Sequence, residues 1–162
     1  MFMTHYMELL ATNQPWNLII FMAIPVILAE TLAVTELFIL FGRNLNGIVR
    51  KINKIAGIIA GLYFTGIFIY LFTNVVIPLT TAGGWRGFVD VLAVGSYLSG
   101  VIPLLGIALL ELNLIGRSRN EEGKLKLHAI FVAIFLVVAH IAMIAGMLDP
   151  RLFTSAPSGM GM

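Results

Sequence analysis

The chain contains no cysteine and little charge: Asp, Glu, Lys and Arg together make up 11% of its 162 residues. Without a thiol it forms no disulfide, ligates no iron–sulfur cluster, attaches no haem in the c-type manner and offers no cysteine nucleophile. No Ser-His-Asp arrangement, HExxH run, phosphate-cradling glycine loop or Walker-type lysine is present, which sets hydrolytic chemistry last. The net charge of +2 and the pI near 9.2 would elsewhere raise nucleic acid as a partner. Here the basic residues crowd into the gaps between apolar runs, where they orient helices, so nucleic acid is discarded.

What fills the chain instead is apolar. Hydrophobic residues make up 59% of it, and the mean hydropathy is +0.99. Four long apolar stretches cover residues 16–41, 52–79, 85–115 and 127–148. Each exceeds the roughly 20 residues that an α-helix needs to cross a hydrocarbon core of about 30 Å. The expectation is an all-α integral membrane protein, a four-helix transmembrane bundle, with helices near 16–42, 52–79, 85–115 and 124–148. Residues 1–15 read as an amphipathic lead-in without the basic start of a signal peptide. Residues 16–149 form the membrane domain, and 150–162 a loose tail.

Orientation follows from lysine and arginine. The first gap holds Arg43, Arg50, Lys51 and Lys54; the third holds Arg117, Arg119, Lys124 and Lys126, partly offset by Glu121 and Glu122. The opposite side offers only Arg86 and Arg151. The positive-inside rule predicts two short basic cytoplasmic loops with both termini outside, in a bacterial cytoplasmic (inner) membrane. Trp16 and Trp85 then fall at outer helix ends, as interfacial anchors. Gly57-Ile-Ile-Ala-Gly61 and Gly66 on the second helix, with Gly95, Ser96, Ser99, Gly100 and Gly106 on the third, predict close helix contact. They would also admit a flat cofactor. Pro25 and Pro103 each remove one helical hydrogen bond and should kink the first and third helices.

Ionisable residues inside the spans are functional candidates, because a charge at the bilayer centre costs about 2.5–3.5 kcal/mol on insertion scales. Glu30 lies mid-helix, and Glu36 lies deeper on a face about 120° away. Glu36, Glu111 and His128 share a depth and form a candidate inner site, able to bind a metal. The plain alternatives are interfacial snorkelling for Glu111 and His128, and hydrogen bonds to Thr31 or Thr35 for the first-helix acids. On the outer side, His140, Met143 and Met147 form one stripe, joined by Met22 and His5. Imidazole with thioether suits Cu(I), and His–Met is an axial set for haem iron; methionine also fills apolar gaps.

His128 and His140 on one helix resemble the paired histidines of b-type cytochromes, about 18 Å apart along the axis. That resemblance implies haem b between the helices, with electrons passing between a quinone or periplasmic donor and a partner protein. The spacing of twelve residues turns His140 about 120° from His128. A second axial ligand would come from His5, Met143, Met22, a glutamate or a dimer partner. Ile27-Leu28-Ala29-Glu30 is similar to the first helix of the small multidrug exporters, which implies Glu30 as a proton- and substrate-binding carboxyl in a dimeric permease. Three expectations follow. The first is a redox protein carrying haem b or copper. The second is a proton-coupled permease, and the third an accessory subunit of a larger membrane complex.

Overall fold

A computed structural model describes residues 3–43 and 45–153. It is all-helical among those residues, with a short helix α1 (His5–Ala11) preceding four long ones. The long helices are α2 (Trp16–Gly42), α3 (Ile48–Ala82), α4 (Phe88–Glu111) and α5 (Glu121–Met147), each long and apolar enough to span a membrane. Of the expected tail over 150–162, Pro150–Phe153 forms a short 3-10 helix, and residues 154–162 lie outside the described residues.

The boundaries differ from expectation where local caps intervene. Helix α3 begins after Gly47, so Arg50, Lys51 and Lys54 ride its first two turns rather than the loop. Asn120 caps α5, its side chain accepting from the Gly123 N–H at 2.9 Å, which satisfies one of the N-terminal donors. Gly87, at φ 127°, sets the chain into α4 three residues later than expected, and Asn113 at φ 57° follows its end.

Proline places the interruptions. Helix α4 breaks at Gly100, and Pro103 follows within one turn. Helix α2 widens to a π-turn over Ile19–Ala23 immediately before Pro25, and α3 does the same over Phe72–Val76 before Pro78. A proline lacks the N–H that the carbonyl one turn earlier requires. In α2 the Ile24 N–H bonds Ile19 O, and the neighbouring carbonyls are met from outside the helix. The Tyr63 hydroxyl donates to Ile20 O at 2.8 Å, and the Tyr97 hydroxyl to Phe21 O at 2.6 Å. In hydrocarbon no water could do this, so the two tyrosines are what makes the irregular turn tolerable.

Neighbours in sequence are neighbours in space: α2 lies on α3, α3 on α4, and α4 on α5, while α2 meets α5 more sparsely. The buried stripe of α3 runs Asn53, Ala56, Gly57, Ala60, Gly61, Phe64. Its glycines admit α4. A Cβ on Gly61 would sit 2.5 Å from the Leu104 carbonyl oxygen, and one on Gly57 would sit 2.7 Å from Ile107 Cγ2. Gly100 and Gly106 similarly receive the rings of Phe135 and Phe131 from α5. These four glycines are taken up by packing, while Gly66 and Gly95 face open space. At the far end α1 lies across the bundle. The Thr4 hydroxyl donates to Gly146 O at 2.9 Å, and Tyr6 packs on Tyr97 at 5.0 Å between centroids.

These contacts order the glycine substitutions. Gly61→Ala meets backbone that cannot rotate away, so α3 and α4 must separate, at a cost of about 1–3 kcal/mol. Gly66→Ala meets nothing and should stabilise by about 0.5–1 kcal/mol through helix propensity. Thermal unfolding in detergent should lower the midpoint for the first and raise it for the second; equal shifts would contradict the packing.

Candidate functional site

The candidate site is a closed ring of polar side chains at the end of the bundle that carries the α2–α3 and α4–α5 connections. All four long helices contribute to it. Glu36 comes from α2, Arg50 and Asn53 from α3, Glu111 from α4 and His128 from α5, and all but half-buried Arg50 are buried. The stripe that buries Gly57 and Gly61 continues back along α3 to Asn53 and Arg50, so the helix face facing its neighbours begins in polar residues.

Around the ring the contacts run from 2.7 to 3.5 Å. The Arg50 guanidinium grips Glu111 with two parallel bonds, Nη1 to Oε1 at 2.7 Å and Nη2 to Oε2 at 3.1 Å. This fork geometry fixes both direction and distance. Arg50 Nη1 also donates to Asn53 Oδ1 at 3.1 Å. Asn53 Nδ2 donates to Glu36 Oε2 at 3.1 Å and to the Thr35 hydroxyl at 2.9 Å. His128 closes the circuit, with Nδ1 2.7 Å from Glu36 Oε2 and Nε2 3.5 Å from Glu111 Oε1. Gly57 lies next to this ring, where a Cβ would be in ordinary contact with His128 Nε2 at 3.5 Å.

The His128 contacts are close but oblique. Neither ring nitrogen completes a hydrogen bond, and neither does Glu36 Oε1, although all three atoms are buried. Unsatisfied buried polar atoms are scarce in folded proteins and mark places where something more is bound or exchanged. By formal charge the ring sets two carboxyl groups, Glu36 and Glu111, and the imidazole of His128 against the single guanidinium of Arg50.

The other sequence candidates do not join this ring. Glu30 is exposed on the outer surface of α2, with no hydrogen-bond or ion-pair partner among the described residues. Thr31 and Thr35 spend their hydroxyl protons on backbone carbonyls one turn back. His140 is exposed on α5, its Nδ1 2.7 Å from Leu136 O, and Met143 and Met147 beside it face outward as well. Met22 is exposed on α2. His5 is held elsewhere: its backbone N–H donates to Asp90 Oδ1 at 2.6 Å, and its Nδ1 lies 2.5 Å from Oδ2. No group of three or more His, Asp or Glu among the described residues is arranged to hold a metal ion. In the ring the position facing Glu111 is filled by the Arg50 cation.

The sequence reading passed over three of these residues. Arg50 was assigned to a loop, and Asn53 was not singled out; both stand at helical spacing before Gly57, which is the signal that places them inward. Asp90 was also missed. It is fully buried in the first turn of α4, one turn before Ala93 and Val94 on the same face. It ties down α1, accepting from the backbone N–H groups of His5 and of Arg86, while the Arg86 guanidinium reaches Met3 O at 2.6 Å and pairs with Glu8. Outside the spans, burial pushes the Tyr6 hydroxyl up to about 12, and hydrogen bonds from Arg151 hold the Asp149 carboxyl down at about 2.

Fold and site together define an all-helical protein with a ring of polar and charged side chains buried between four membrane-length helices. The sequence matches the family of unknown function DUF6803 over residues 1–162, and the chain belongs to that family. No curated protein and no solved structure matches it.

The Arg50–Glu111 clamp yields a stability prediction. Arg50→Met strands a buried carboxylate and should cost about 3–5 kcal/mol, whereas Arg50→Met combined with Glu111→Leu should recover most of that loss. Unfolding midpoints of the two variants in the same detergent check this; a double variant no better than the single one would contradict the pairing.

Proposed function

We propose that the protein is a small proton-coupled membrane carrier whose proton site is the Glu36–His128 pair, with Arg50–Glu111 as its fixed counter-charge. The single observation that carries this reading is the open hydrogen-bonding capacity of Glu36 and His128 in a buried ring of two carboxyl groups and one guanidinium. Because every long helix supplies a member of the ring, adding or removing that proton changes the electrostatic balance across all the helix contacts at once. A device of that kind can favour one helix arrangement when protonated and another when not. Arg50, partly exposed, links the ring to the polar end of the bundle.

On this reading the proton passes through Glu36 rather than Glu30. Haem b or copper held within the bundle is less well supported. His140, Met143 and Met147 face away from the other helices, and Gly57 and Gly61, which would admit a flat cofactor, are filled by α4. The two basic connections support an orientation with the ring at the cytoplasmic face and both termini outside, in a bacterial cytoplasmic membrane.

Infrared difference spectra of the protein in liposomes, recorded between neutral and acidic pH, test the assignment. Acidification should produce a protonated-carboxyl band that disappears in Glu36→Gln, shifts in His128→Gln and persists in Glu30→Gln. A band that survives Glu36→Gln and vanishes in Glu30→Gln would return the proton site to Glu30.

A further inference from the structure

Helix α1 sits across the end of the bundle opposite the ring, and little apolar burial keeps it there. Of its seven residues only Leu10 is buried, while Tyr6, Met7 and Leu9 pack part-buried on the core. Its hold is largely polar and lies toward its N-terminal end. Asp90 accepts from the His5 N–H at 2.6 Å, with His5 Nδ1 2.5 Å from its other oxygen. Arg86 donates to Met3 O at 2.6 Å and pairs with Glu8, and the Thr4 hydroxyl donates to Gly146 O at 2.9 Å. At the other end Asn17 Nδ2 donates to Leu9 O at 3.0 Å, and the chain turns into α2 through Asn13, at φ 50°. Beneath α1 lies a small apolar cavity. Tyr6 and Leu9 roof it, and Leu71, Val75, Val94 and Tyr97 of α3 and α4 form its floor. Its volume of about 10 Å3 holds no more than one water.

We infer that α1 is a hinged lid over this end of the bundle, latched by Asp90 and Arg86 and turning on residues 12–15. Elements with few buried apolar contacts are the ones that open locally while the rest of a fold stays intact. What separates a lid from a fixed strut is the fate of the groups it frees. Asp90 lies in the first turn of α4 and Arg86 just before it, so water takes over the bonds that α1 gives up. Opening then costs only the small net value of hydrogen bonds exchanged with solvent. The ring allows no such exchange, because parting its members strands a buried carboxylate. With α1 seated, nothing larger than water fits beneath it. With α1 lifted, Tyr97 is uncovered, and its hydroxyl is the support of Phe21 O in the α2 π-turn. The lid shares no residue with the ring, so it stands whether or not the ring carries a proton.

The absence of cysteine makes the test clean. Val94→Cys places one thiol, buried, in the floor of the cavity. In lipid nanodiscs, where both faces meet solvent, a membrane-impermeant maleimide should label it slowly. Adding Asp90→Asn should speed that labelling about ten- to hundredfold, the worth of a hydrogen-bonded charge. Val132→Cys, buried in α5 away from the lid, should stay unlabelled with and without Asp90→Asn. In the unsubstituted protein, hydrogen exchange should release the α1 amides well before those of α4. Labelling of Val94→Cys that ignores Asp90→Asn would overturn the lid, as would α1 amides no faster than those of α4. So would labelling of Val132→Cys in step with Val94→Cys, since Asp90 would then hold the whole bundle. Neither readout involves the ring, so a fixed α1 leaves the proton site untouched.

Discussion

A charge carried into hydrocarbon must meet an opposite charge or a proton, and at one end of this bundle that requirement joins four helices. Arg50 answers Glu111, while Glu36 and His128 answer each other, with Asn53 bridging the two pairs. Take away the guanidinium and Glu111 is stranded; take away His128 and the helix α5 loses its hold on α2, which it otherwise touches only sparsely. The ring therefore ties the four long helices together, and it is also where the proposed proton site lies. Structure and proposed chemistry share the same atoms.

Close backbone approach is what lets the ring form. Gly57 and Gly61 draw α3 against α4, and the first of them lies beside the imidazole of His128. Further along, the same helices carry the opposite device. The π-turn before Pro25 opens α2, and Tyr63 and Tyr97 from α3 and α4 cover the freed carbonyls. In lipid, where hydrophobicity does not drive helices together, such small-residue contacts and interhelical hydrogen bonds supply most of the specificity. At the opposite end, buried Asp90 anchors α1 across the mouth of the bundle.

The four spans were legible because length and hydropathy suffice for them, and the shared depth of Glu36, Glu111 and His128 was legible because rise per residue converts sequence into depth. Facing was harder. Helices α2 and α5 are apolar on every side, so no polar face announces which way Glu30, Glu36, His128 or His140 points. Their twelve- and six-residue separations say only that two of each pair cannot face the same way; the choice belongs to tertiary packing. Thus His140 and its methionine stripe looked inward-ready by chemistry and stand outward. Arg50 was read as topology rather than as a partner, because a basic residue beside a loop satisfies the positive-inside rule without further explanation. Asp90 lay hidden in a helix's first turn, where an acid is ordinarily only a favourable end charge.

The most direct measurement is the nitrogen NMR spectrum of the protein in lipid with its three histidines isotope-labelled, followed from about pH 5 to about pH 9, the range in which an imidazole ordinarily changes charge. A proton taken up by Glu36 beside the imidazole predicts that the His128 nitrogen signals shift with pH, and that Glu36→Gln abolishes this shift while leaving His5 and His140 unaffected. His128 signals that stay fixed across the range, in the wild type and in Glu36→Gln alike, would make the ring a structural clamp and contradict its role as a proton site.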